Sequence, residues 1–123
     1  MGYRSDVAIA LYKKDYDKLI NRVKMNKNQD LHSLINNASL FESEGGNVKI
    51  LTWDWTKWYN EYEEIQWIEN FIHNCNSAFI RIGEDFEDME EQGFGEFGYD
   101  LMEYAYCSRN LEINGKPISK ENI

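Results

Sequence analysis

The run Val7-Ala8-Ile9-Ala10-Leu11-Tyr12 offers no polar face. A half-buried strand alternates apolar with polar residues, so six consecutive apolar positions predict an inner strand buried on both faces. Such a strand belongs in the middle of a sheet. It needs hydrogen-bonding neighbours on each side, and the rest of the chain has to supply them.

Two helical patterns follow. Tyr16, Leu19, Ile20 and Val23 recur at i, i+3, i+4, i+7 opposite Lys18, Arg22 and Lys24, with Asp15 placed to cap. Leu31, Leu34, Ile35 and Ala38 repeat that spacing behind Asp30, a second candidate cap. The period then changes. Leu40–Glu44 and Val48–Trp55 flank Gly45-Gly46-Asn47, residues that tolerate positive φ, and this reads as a β-hairpin. On its second strand Leu51, Trp53 and Trp55 share one face, expected to be buried, and Ile50, Thr52, Asp54 and Thr56 share a partly wetted one. Residues 60–75 return to helical period through Tyr62, Ile65, Ile68, Ile72 and Cys75, with Glu61, Glu63, Glu64 and Glu69 largely outside that stripe.

Ser77–Ile82 reads as a strand ended by Gly83. Asp85 is placed to cap one or two helical turns through Phe86, Met89 and Gln92, closed by Gly93. Tyr99–Arg109 reads as a long strand with Leu101, Ala105 and Cys107 on one face and Met102, Tyr104 and Tyr106 on the other. Asn114-Gly115 is a turn signal, and the polar tail after Pro117 is expected to fray. The order β-α-(α)-β-β-α-β-β predicts an α+β fold, a ferredoxin-like variant with two or three helices on one face of a mainly antiparallel sheet. A length of 123 residues fits one domain spanning 1–123.

The charge is gathered in one stretch. Between Asn60 and Ser108 lie thirteen acidic side chains and one basic one, Arg81, while the whole chain carries a net charge of −9. Such a field repels nucleic-acid phosphates and anionic lipid and attracts basic partners. The candidate partner-binding carboxylates are Glu61, Glu63, Glu64, Glu84, Asp85, Glu87, Asp88, Glu90 and Glu91. The run 84–91 lacks the alternate-ligand spacing and turn glycine of a calcium loop, so no metal site is expected there. Its dense, solvated carboxylates also lack the apolar pocket that raises an acid's pKa for general acid catalysis.

Trp53-Asp54-Trp55-Thr56-Lys57-Trp58-Tyr59 holds four large aromatics in seven positions. Core packing is the expected use of this cluster, and the charge balance disfavours base stacking. Neither His32 nor His73 has partners that suggest zinc or a nucleophilic triad. Cys75 and Cys107 read as small buried hydrophobes. No glycine-rich phosphate loop is present, and neither cofactor nor catalytic residue is expected. Without an apolar stretch long enough for a signal peptide or a membrane span, a reducing cytoplasm is the expected compartment.

Three segments, Met1-Gly2-Tyr3-Arg4-Ser5-Asp6-Val7, Trp55-Thr56-Lys57-Trp58-Tyr59 and Phe79-Ile80-Arg81-Ile82-Gly83-Glu84-Asp85, resemble a group of small tailed-phage and prophage proteins without an assigned activity. The resemblance spans most of residues 1–91. It implies a phage or mobile-element origin and nothing catalytic. By analogy of size, charge and source it points to antagonists of host defence, anti-CRISPR proteins among them.

These observations together lead to an expected non-enzymatic inhibitor that covers a basic surface on a host nucleic-acid-handling protein, such as a CRISPR effector. The rival expectation is a small-ligand or enzymatic α+β domain with a pocket where the aromatic strand meets helix 60–75, using Asp54 and Arg81. A third is a homo-oligomer built on an exposed sheet face.

Overall fold

The computed structural model describes residues 2–85, 87–109 and 115–117. Its elements are β1 (Ser5–Tyr12), α1 (Lys13–Met25), α2 (Gln29–Asn37), β2 (Ser39–Ser43), β3 (Val48–Thr56), α3 (Glu63–His73), β4 (Ser77–Gly83), β5 (Met89–Phe94), α4 (Gly98–Arg109) and β6 (Gly115–Pro117). The strands form one antiparallel sheet in the order β5-β4-β1-β3-β2-β6, so the class is α+β.

The apolar run lies in β1, inside the sheet between β3 and β4, and Val7 through Leu11 are each at most 1% exposed. Its two faces carry different sizes of side chain. Val7, Ile9 and Leu11 join Leu51, Trp53 and Phe79 under α1, α2 and α3, where Leu19, Val23, Leu31, Ile35, Ile65, Ile68 and Ile72 complete the larger core. Ala8 and Ala10 join Ala78, Ile50 and Ile80 under α4, which contributes Leu101 and Ala105. Small residues on this second face let α4 lie close to the strands. The expectation of helices on one face is therefore corrected: three helices cover one side and α4 the other. Ile50 and Thr52, expected on a wetted face, are buried for that reason.

The helix starts differ from expectation as well. α1 begins at Lys13 directly after β1, so Asp15 lies inside its first turn and is buried rather than capping. α2 is capped by Asn28, whose side-chain oxygen accepts from the N–H groups of Asp30 (2.9 Å) and Leu31 (3.2 Å), so Asp30 is not the cap. The hairpin turn is as the glycines predict, with Gly45 and Gly46 at φ 86° and 77°.

The last third of the chain departs most. Residues 89–94, expected to complete short helical turns, form the edge strand β5, paired to β4 from Ser77↔Phe94 to Ile82↔Met89. Residues 99–109, expected as a strand, lie in α4. The observed order is thus β-α-α-β-β-α-β-β-α-β. Leu101 and Ala105 are four apart, a separation that suits two periods of a strand nearly as well as one turn of a helix. Gly93 and Gly98 allow the close seating of α4, because a Cβ on Gly98 would stand 2.7 Å from the Gly93 carbonyl carbon. The expected turn at Asn114 and the tail after Pro117 lie outside the described residues, as does the side chain of Cys107.

Candidate functional site

Residues far apart in sequence meet at the end of the sheet where β1 begins: 3–6, 55–61, 81–85 and 87–90. β1 carries a register irregularity between Ser5 and Val7 opposite the end of β3. Trp55 there has φ 55°, the left-handed region that a bulky residue seldom adopts. Two bonds hold it so: the Asp6 carboxylate accepts from the Trp55 N–H at 2.7 Å, and the Arg4 guanidinium donates to the Trp55 carbonyl at 3.3 Å. The change of hand breaks the alternation of β3. Trp55 therefore leaves the face of Leu51 and Trp53 and stands 58% exposed, which corrects its expected burial.

The other two tryptophans of the cluster pack inward. Trp53 and Trp58 lie with ring centroids 5.1 Å apart, and Trp58 reaches Phe79 at 6.1 Å. Each indole N–H finds an acceptor, Leu34 carbonyl for Trp53 (2.8 Å) and Glu69 carboxylate for Trp58 (3.0 Å). Glu69 is thereby a structural acid.

Arg81 projects from β4 toward the α3 side and organises the site. Its Nη2 and Nη1 donate to the two Asp88 carboxylate oxygens at 2.7 and 3.2 Å, its Nε to Glu90 at 2.8 Å, and Nη1 also to the Ser5 hydroxyl at 3.0 Å. A fork of this kind suits guanidinium geometry. The Tyr3 hydroxyl donates to Asp88 at 2.6 Å and accepts from the Asp85 N–H at 3.3 Å. Arg81 and Tyr3 both hold the Asp88 carboxyl below the usual carboxylate range. The same bond to Asp88 raises the Tyr3 phenol above its ordinary value. Arg81 is likewise raised, first by Asp88 and then, against some desolvation, by Glu90.

Above this network opens a cleft of about 450 Å³. Its aromatic walls are Tyr3, Trp58 and Tyr59, and Asn60, Glu61, Arg81, Asp88 and Glu90 supply the polar lining. Three carboxylates face one guanidinium, so the cleft has a formal charge of −2. Cations, not anions, are favoured in it.

The nine carboxylates expected to bind a partner are divided by the fold. Glu61, Asp88 and Glu90 line the cleft, and the last two are committed to Arg81. Glu63 is exposed and Glu64 half-buried in the first turn of α3. Glu84 accepts from the Arg4 N–H at 2.9 Å, and Asp85 accepts from the Glu87 N–H at 3.1 Å, stabilising the turn between β4 and β5. Glu87 is exposed. Glu91 pairs across from Ile80, so it points to the α4 side, where Tyr106 bonds to it. Asp54 is exposed and does not line the cleft, whereas Arg81 does. Arg4, which with Ser5 and Asp6 reads from sequence as an anchor for a turn before β1, instead bridges Trp55 and Glu84, and Tyr3 carries no local signal, since only the chain path brings it beside Asp88.

Among the described residues no group of three or more His, Cys, Asp or Glu side chains is arranged to hold a metal ion. His32 bonds through Nε2 to the Asn26 carbonyl, and the His73 ring lies 4.3 Å from that of Phe94. Cys75 is half-buried, and its thiol is pushed up to about 11, chiefly by desolvation and then by Asp15. Such a thiol is a poor nucleophile. No described helix is long and apolar enough to cross a membrane. Comparison of the chain with protein-family models, curated proteins and solved structures gives no match.

Proposed function

We propose that this chain is a non-enzymatic acidic protein of phage or prophage origin that inhibits a host nucleic-acid-handling protein by occupying its basic surface. An anti-CRISPR role against an effector is the form suggested by the resemblance. The observation that carries the reading is the placement of the acidic stretch at one edge of the sheet: β5 and β4 form that edge, with α3 packed against β4 on one face and α4 against both strands on the other. The carboxylates of residues 60–106 thus border one edge of the sheet on both of its faces, with exposed Glu61, Glu63, Glu84, Asp85, Glu87 and Glu91 among them. Trp55, exposed beside the acidic turn through Arg4, supplies an aromatic anchor of the type enriched in interface hot spots.

The test is capture of host proteins on the immobilised chain at low and moderate salt, with a Glu61→Lys/Glu87→Lys/Glu91→Lys variant beside it. Asp88 and Glu90 are left intact because they hold Arg81. A nucleic-acid-binding protein that is retained at low salt, lost with the triple reversal and displaced by added DNA supports the reading. Retention indifferent to both salt and reversal overturns it.

A second reading has one observation in its favour. The cleft lies where β3 leads into α3 and contains Arg81, as a small-ligand site would require. A small molecule released on denaturation of the purified chain, and absent from a Tyr59→Ala variant, would favour it over the first.

A further inference from the structure

We infer that the free edge of β5 is the docking line for the basic partner, which adds an extended segment with lysine or arginine at alternate positions as a further strand. This deepens the proposed function and rests on it. β5 ends the sheet order, so its outer side has no strand neighbour among the described residues. The ladder phase says which groups face outward. The Gly83 N–H donates to the Asp88 carbonyl at 2.8 Å, which makes 83/88 a hydrogen-bonded pair. Hydrogen-bonded and non-bonded pairs alternate in an antiparallel ladder, so Glu90, Gln92 and Phe94 turn their backbone groups toward β4. Met89, Glu91 and Gly93 turn theirs outward, as donor and acceptor pairs about 6.8 Å apart.

The side chains of Met89 and Glu91 lie on the α4 side, as does the Gly93 position, since their partners Ile82, Ile80 and Ala78 do. A cleft of about 450 Å³ opens there beside the edge, lined by Gly93, Tyr99 and Met102, with Glu91 at its rim. Tyr99 is 85% exposed and Met102 half-buried. A lysine or arginine opposite Gly93 could lay its aliphatic stem on Met102 and Tyr99 and bring its charge to Glu91. Glu84, Asp85, Glu87 and Glu96 are exposed around the strand. Charge also decides between occupants. A second copy pairing edge to edge would set β5 glutamates against one another, which is unfavourable, whereas a basic segment neutralises them.

The probe is a capped, alternating Lys-Val decapeptide, with a Glu-Val peptide as control. Hydrogen exchange on the unmodified chain is expected to show the Met89, Glu91 and Gly93 amides slowed at least tenfold by the basic peptide alone. Glu91→Pro removes the outward N–H and the charge without touching the bonds to β4, and Glu91→Gln removes the charge only. The proline variant should bind the basic peptide at least tenfold more weakly than the glutamine variant. Unchanged exchange of these amides, or equal binding by two folded variants, overturns the edge assignment. If the proline variant does not fold, the exchange experiment decides alone. Partner capture that stays charge-dependent but ignores Glu91→Pro sinks this inference and leaves the proposed function standing.

Discussion

Trp55 shows how a single residue can be held against its own preference. The left-handed region costs an L-residue roughly 1–2 kcal/mol, and an indole more than half exposed recovers little of that by burial. Trp55→Gly should therefore keep or raise the thermal midpoint, by up to about 1 kcal/mol of stability, while weakening partner binding by tenfold or more. A melt and a binding titration on one preparation check both parts. Asp88 gives a prediction in pH. Its folded pKa is depressed, so its contribution is present above the unfolded value near ~4 and is lost as pH falls through the folded value. Tyr3 is raised, so its contribution is present below ~10 and is lost as pH rises through its folded value. Urea midpoints of Asp88→Asn should fall below those of the parent at neutral pH and converge with them in strong acid. Cys75, with a thiol near 11, should alkylate at pH 8 about two orders of magnitude more slowly than an ordinary free cysteine, as peptide mass spectrometry would show.

At the level of elements, α4 is the piece whose position matters most and whose sequence says least. It is fixed by Leu101 and Ala105, both fully buried, and by the contact of Gly98 with Gly93. Leu101→Ala should cost about 3 kcal/mol, and Gly98→Ala about 1–3 kcal/mol because backbone meets backbone. Chemical denaturation measures both, and a Gly98→Ala change that costs nothing would mean that α4 does not sit so close to β5. The periodic elements were legible beforehand because each buries one stripe or one face against a large core. β5 was not, since Met89–Phe94 is an edge strand without a fully buried face and so carries no alternation. In α4 a thin buried stripe among tyrosines imitates a strand, and propensity alone could not separate the two.

For the whole molecule, the question is how much of the net charge of −9 remains available to a partner. Arg81 pairs with Asp88 and Glu90, and its one positive charge offsets one of theirs, so the usable field is smaller than the count of carboxylates suggests. Steered association should still slow steeply between low and physiological salt, since the Debye length shrinks to ~8 Å at 0.15 M. Stopped-flow rates with a captured partner test this, and a flat salt response would count against electrostatic docking. The sequence by itself determined the α+β class, the inner position of β1, the hairpin and the local excess of acid, because periodicity and composition are properties of neighbouring residues. Only the tertiary structure decided which carboxylates are paired, that Trp55 faces solvent, and that Tyr3, Trp58, Glu61 and Arg81 line one cleft. Those outcomes join residues as far as 85 positions apart, and they depend on the chain path, to which no local pattern is sensitive.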